Sequence, residues 1–214
     1  MPSQDEVLRN LAEGTIVDIR PLKRSTLTRT KPKQGANGVL RDSLKAAMKQ
    51  LKRYAKLLNV NKDGTNINES VLRFFVLAEI MKRDRGASCQ TEWKRFDLLV
   101  TTRGKSFLVE FKFYGFNREY RLDGKPGRWK GYPSLKNEEE FGKCLKNLRE
   151  FPGSGITEKY LVLVYQKGPW CGDRGDHKHS YETSYADLTR FGVTSEEIGH
   201  CYEKCTACKL IQVE

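Results

Sequence analysis

Two apolar segments with period-two alternation, separated only by Arg103-Gly104, constrain this 214-residue chain more than any other feature. Phe96, Leu98 and Val100 alternate in Arg95 to Thr101, and Phe107, Val109, Phe111 and Phe113 alternate in Phe107 to Phe113. Period two indicates strands with one core-facing side. A two-residue connection makes them an antiparallel hairpin with Thr102 opposite Lys105. Carried along both strands, that register sets Asp97 opposite Glu110, with their Cβ atoms about 4.5–5.5 Å apart. Lys112, two residues further, projects to the same face. Two opposed carboxylates repel each other. A divalent cation between them removes that cost, and Mg²⁺ suits one or two carboxylates plus water and phosphate. The plain alternative is a pair of solvent-facing strand residues neutralised by Lys112 and Arg95.

The flanking segments set this hairpin in a larger order. A short helix over Asp5 to Glu13 precedes a basic arm through Arg20, Lys23, Arg24, Arg29, Lys31 and Lys33, broken by Pro21 and Pro32. Asp42 or Ser43 can cap a helix to about Leu58, with Leu44, Met48, Leu51, Ala55 and Leu58 along one side. Asn68 or Ser70 can cap a second helix, Val71 to Arg83, carrying Leu72, Phe75, Val76, Glu79 and Ile80. Ser88 to Trp93 reads as a short strand. After the hairpin, Gly115 to Pro133 reads as a loop, Leu135 to Phe151 as a helix and Tyr160 to Tyr165 as a buried strand. The core order is helix, three strands, helix, strand. It predicts an α/β fold with a mixed central sheet flanked by helices.

Charge points to a polyanionic partner. The chain holds 39 Lys+Arg and 27 Asp+Glu, for a net charge of +12. Residues 1–60 hold 13 Lys/Arg against 5 Asp/Glu, residues 61–166 hold 20 against 14, and residues 167–214 hold 6 against 8. Such a concentrated excess is the footprint of a polyanion binder, against the plainer reading of a generically soluble basic protein. Lys45, Lys49, Lys52 and Arg53 are candidate phosphate contacts on the first helix. Arg118, Arg121, Arg128 and Lys130, interleaved with Phe116, Tyr120, Trp129 and Tyr132, are candidates in the following loop. No run approaches the roughly 18 apolar residues of a membrane span. The N-terminus has no basic region followed by an apolar block, so a cytoplasmic protein is expected.

Arg95-Phe96-Asp97-Leu98-Leu99-Val100 followed by Phe107-Leu108-Val109-Glu110-Phe111-Lys112-Phe113 resembles the core of the PD-(D/E)XK nuclease superfamily. Asp97 is followed, after twelve residues, by Glu110-Phe111-Lys112; Phe96 stands where the superfamily is named for proline. The resemblance covers residues 68–166 and implies a restriction-endonuclease-like αβββαβ core. It implies a Mg²⁺-dependent DNA endonuclease of the Type II restriction or defence kind. Asp97, Glu110 and the backbone carbonyl of Phe111 would hold one or two Mg²⁺, and Lys112 would position or activate the attacking water. An acidic residue from the preceding helix often joins such sites; Glu79 is the candidate, with Glu69 a weaker substitute. Double-stranded DNA is the implied substrate, and a homodimer the implied assembly if both strands of a palindrome are cut. A junction resolvase, repair or phage nuclease, a nuclease toxin, and a non-catalytic nucleic-acid-binding protein are the other readings.

On this reading residues 1–67 are a basic arm with helices, 68–166 the nuclease core and 167–214 a small Cys-rich extension. Without an export signal, six cysteines point to thiols or metal rather than disulfides. Cys89 and Cys144 read as small core residues. Cys201, Cys205 and Cys208, with Cys171 or with His177, His179 or His200, supply ligands of the kind a structural Zn²⁺ takes. Free buried thiols or an unusual disulfide are the competing readings.

Overall fold

The Asn68 side chain accepts the Val71 N–H at 3.1 Å and starts the helix Glu69–Arg83 (α2). This is the ordinary way to satisfy an orphan donor in the first turn. A computed structural model of the chain describes residues 36–57, 68–115, 117–120, 126–130, 133–167, 180–199 and 206–214. Helix α1 spans Ala36–Leu57, beginning before the Asp42–Ser43 cap that sequence suggests. After α2 come strands β1 (Ser88–Trp93), β2 (Phe96–Thr102) and β3 (Lys105–Tyr114), then β4 (Asn117–Tyr120) and β5 (Pro126–Lys130). Helix α3 (Leu135–Glu150), strand β6 (Ile156–Gln166), the short helix α4 (Tyr181–Tyr185), β7 (Glu196–Gly199) and β8 (Thr206–Gln212) complete the described order.

Six strands form one mostly antiparallel sheet in the order β1-β2-β3-β6-β8-β7. Only the β3–β6 pair is parallel, and the crossover between them contains α3. Arg103 and Gly104 both take positive φ, +51° and +75°, the conformation that a tight two-residue hairpin turn requires. Thr102 therefore pairs with Lys105 and Leu98 with Val109, in the expected register. The ladder stops there: neither Asp97 nor Phe96 pairs with β3.

Helices cover both faces. On one face α1 and α2 bury Leu40, Leu44, Leu51, Leu72 and Val76 against Leu98, Val109, Phe111 and Val162. On the other, α3 and the α4 region bury Phe141, Leu145 and Tyr185 against Leu108, Leu161 and Tyr165. Phe96 departs from simple alternation. It joins the second core, edge-to-face with Phe151 at 5.0 Å between ring centroids, rather than the face of Leu98 and Val100.

Two expected boundaries change. Helix α1 is part of the core rather than of a separate basic appendage, since Val39, Leu40, Leu44, Ala47, Met48 and Leu51 are all buried. The C-terminal residues are not an extension either. Strand β8 lies between β6 and β7, pairs with β6 from Thr206 to Gln212, and is almost wholly buried. Gln34–Glu214 is accordingly one compact unit. Residues 115–133, expected as a loop, contain a two-stranded antiparallel ribbon: Asn117 pairs with Lys130 and Arg118 with Trp129. The expected Asp5–Glu13 helix and the basic arm lie outside the described residues. No helix among the described residues is long and apolar enough to cross a membrane.

Candidate active site

Where β2 leaves β3, side chains replace the ladder. The N–H of Phe111 donates to Asp97 Oδ2 at 2.7 Å, at the position that the same register would pair with Phe96. In an extended strand a residue's N–H and C=O face the same neighbour. The Phe111 carbonyl thus faces this opened edge too. Asp97 Oδ1 accepts from Arg73 Nη1 of α2 at 2.7 Å, and the same nitrogen lies 2.5 Å from Glu92 Oε1. Arg95, the expected counter-ion, instead donates to the Asn147 carbonyl at 3.4 Å.

Glu110 and Lys112 share the β3 face that meets α3. Lys112 Nζ lies 3.3 Å from Glu110 Oε1 and 3.9 Å from Glu140 Oε1. The Cys144 thiol, which sequence assigns to the core, donates to Glu110 Oε1 at 3.7 Å. Glu110 Oε2 is buried and has no hydrogen-bond partner. Burial raises the Glu110 pKa, and the Asp97 charge raises it further. Burial works against the Lys112 ammonium, but Cys144, Glu110 and Glu69 outweigh it, so its pKa lies above the usual lysine value. Lys112 is a cation at neutral pH. The Cys144 thiol is pushed up to about 12, by burial above all, and is no thiolate.

Of the two helix glutamates, Glu69 is the one that feels the charges of Lys112, Asp97, Glu110 and Arg73, while Glu79 pairs elsewhere. Burial pushes the Glu69 carboxyl up to about 7; Lys112 and Arg73 pull it down while Asp97 and Glu110 push it up. Those four neighbours are the members of the site. Glu79 instead lies buried between α1 and α2, where Gln50 Nε2 donates to its Oε1 at 2.5 Å. Lys82 and Arg83 complete its partners at 3.5 and 3.7 Å. Ten residues of helix, about 15 Å, separate the two glutamates. Glu69 and Arg73 stand at i and i+4 on one face, a spacing visible in the sequence that points both at the same target.

Among the described residues, no group of three or more His, Cys, Asp or Glu side chains is arranged as a metal cage. The donors suit a weaker kind of hold. Glu110 keeps one buried carboxylate oxygen, Oε2, without a hydrogen-bond partner while Oε1 meets Lys112 and Cys144, and Asp97 and Glu69 are the neighbouring carboxyls. Mg²⁺ commonly takes one or two carboxylates and leaves its other positions to water and phosphate. Asp97, Glu110 and the Phe111 carbonyl are oxygen donors of the kind that ion takes.

The remaining candidates divide by location. Lys45, Lys49, Lys52 and Arg53 are exposed on α1. Arg118, Arg128 and Lys130 lie within the β4–β5 ribbon, and Arg121 lies outside the described residues. Cys208 is buried in β8 within the α1/α2-side core. Cys171, Cys201 and Cys205, with His177, His179 and His200, lie outside the described residues. No protein-family model, curated protein or solved structure matches this chain.

Proposed function

We propose that this protein is a metal-dependent endonuclease that hydrolyses phosphodiester bonds in DNA. The observation that carries this reading is Glu110 Oε2, buried without a partner beside a protonated lysine and two further carboxylates. Leaving a buried carboxylate oxygen without a hydrogen bond costs stability, and such costs concentrate where chemistry uses the group. The helix, three-strand, helix, strand order around it, with β3 and β6 parallel, supports the PD-(D/E)XK comparison. A bound Mg²⁺ would supply Lewis-acid polarisation of the phosphoryl group and a more acidic water. Lys112, held as a cation, would donate to a phosphoryl oxygen or to the attacking water and favour the charge that builds up in the transition state. Asp97 and Glu110 would set the position of the ion.

Substrate approach has support from two surfaces. The exposed cations of α1 can neutralise phosphates without reading sequence. The β4–β5 ribbon, which follows directly on β3, has a shape that a major groove admits. Cleavage of both strands of a symmetric site would require a homodimer. A second reading, a nucleic-acid-binding protein without catalysis, draws on Asp97, whose two oxygens are both engaged within the protein.

Purified protein incubated with supercoiled plasmid and Mg²⁺ separates these readings, beside Asp97→Ala and Lys112→Ala. Discrete fragments from the wild type alone support a sequence-specific endonuclease. Preference for a branched substrate supports a structure-specific one. Absence of Mg²⁺-dependent cleavage of plasmid, branched DNA and RNA, with binding retained, overturns the catalytic reading in favour of the second.

A further inference from the structure

One arginine already pairs with Asp97, the carboxylate that would hold the ion. Arg73 Nη1 is shared by Asp97 Oδ1 at 2.7 Å and Glu92 Oε1 at 2.5 Å. Asp97 and Arg73 are both largely buried, at 13% and 19% side-chain exposure, while Glu92 is 70% exposed. The two carboxylates therefore differ: one is inside the site and the other is on its rim. Glu92 reaches this position from a left-handed backbone conformation, φ +52°, followed by a second at Lys94, φ +55°. Non-glycine residues adopt that region sparingly, and here two fall within three positions at the end of β1.

We infer that Arg73 is a built-in counter-ion that competes with the divalent cation for Asp97, and that Glu92 receives its guanidinium when the cation enters. The inference rests on the metal-dependent reading above and deepens it. A buried carboxylate needs a positive partner at all times. Arg73 fills that need before the ion arrives. Because Nη1 already touches both carboxylates, release from Asp97 requires only a small rotation of the side chain and leaves the guanidinium paired. Arg73 is thus a positioning residue: it keeps Asp97 in place without the ion and gives way on loading. Cation affinity is correspondingly lower than the carboxylates alone would confer, so loading becomes sensitive to anything else that draws Arg73 away, a substrate phosphate included.

The test measures ion binding without DNA, on the full chain, by counting free Mn²⁺ with electron paramagnetic resonance. Arg73→Gln is expected to bind Mn²⁺ at least tenfold more tightly than wild type. Arg95→Gln, an equal charge change two residues from Asp97 but bonded to the Asn147 carbonyl, is expected to bind within twofold of wild type. Equal tightening in both variants would reduce Arg73 to a general field effect and overturn the inference. A second readout needs no variant. The guanidinium ¹⁵N signals of Arg73 are expected to show hindered rotation in the metal-free protein and to shift on adding Mg²⁺; signals unmoved at saturating Mg²⁺ overturn the exchange. The outcomes separate from those of the nuclease reading. Tight Mn²⁺ binding by Arg73→Gln in a protein that cleaves nothing upholds the competition and sinks the catalysis. Plasmid cleavage with no difference between the two variants does the reverse.

Discussion

Asp97 accepts the backbone N–H of Phe111 at 2.7 Å at the point where β2 and β3 stop pairing. The carboxylate thereby has a structural task beside any chemical one, because a buried strand N–H without an acceptor is costly. Asp97→Ala leaves both Phe111 N–H and Arg73 without that partner and is expected to destabilise by about 2–4 kcal/mol. Asp97→Asn retains an acceptor and is expected to lose markedly less. Urea unfolding read beside plasmid cleavage separates the tasks: both variants abolish cleavage, and only alanine carries the large stability loss.

Glu69 and Glu110 give the metal-free protein a pH dependence of definite sign. Glu69 is raised from 4.5 to about 7, first by burial, and Glu110 is raised for the same reason. The folded state therefore holds protons that the unfolded chain releases between these values. Stability is greatest below the unfolded pKa and falls as pH rises towards 7. With screening at this half-buried site, the Glu69 share is about 1–2 kcal/mol, a melting shift of several degrees. In EDTA the melting temperature is expected to rise from pH 8 to pH 5.5, and Glu69→Gln is expected to flatten that slope. A slope unchanged in the variant would place Glu69 outside the cluster.

Glu69 and Glu79 also show what sequence conveys and what it does not. Hydrophobic company around Glu79 suggests a costly burial with a functional reason, yet Gln50 from α1 meets that carboxylate, and no local pattern reveals a partner 29 residues away. The hairpin register was legible because Arg103-Gly104 dictates it through backbone conformation. Phe96 was not, because the Phe151 ring from the end of α3 draws it to the opposite face. Strand β8 was hidden by Lys209, which looks like a surface residue. Its ammonium is 7% exposed at the residue level and donates to the Tyr185 and Ala186 carbonyls at 2.9 and 2.5 Å, closing the end of α4. Tertiary partners decide these cases, and periodicity does not report them.

The two glutamates are expected to respond oppositely to truncation. Glu79→Ala removes the acceptor of Gln50 and the partner of Lys82 and Arg83 from a site 4% exposed. It is expected to cost about 2–3 kcal/mol in unfolding while leaving Mn²⁺ affinity within twofold. Glu69→Ala removes charge from the neighbourhood of Asp97 and Glu110. It is expected to weaken Mn²⁺ binding several-fold and to leave stability at pH 8 unchanged or raised. Chemical denaturation and metal titration on the same preparations check both halves.

Lys45, Lys49 and Lys52 lie three and four residues apart along α1, exposed while Leu44, Met48 and Leu51 are buried behind them. A phosphate contact contributes about 0.9 to the slope of log affinity against log salt on duplex DNA. If all three lysines touch phosphates, their joint replacement by alanine is expected to reduce that slope by about 2.7, with equal loss on every sequence. Exposed side chains of this kind are expected to change stability by less than about 0.5 kcal/mol each. Fluorescence anisotropy across 50–300 mM salt, on two unrelated duplexes, gives the slope directly. A slope that does not move removes α1 from the DNA-contacting surface and shifts the burden of binding to the β4–β5 ribbon, where alanine at Arg118, Arg128 and Lys130 then becomes the deciding comparison.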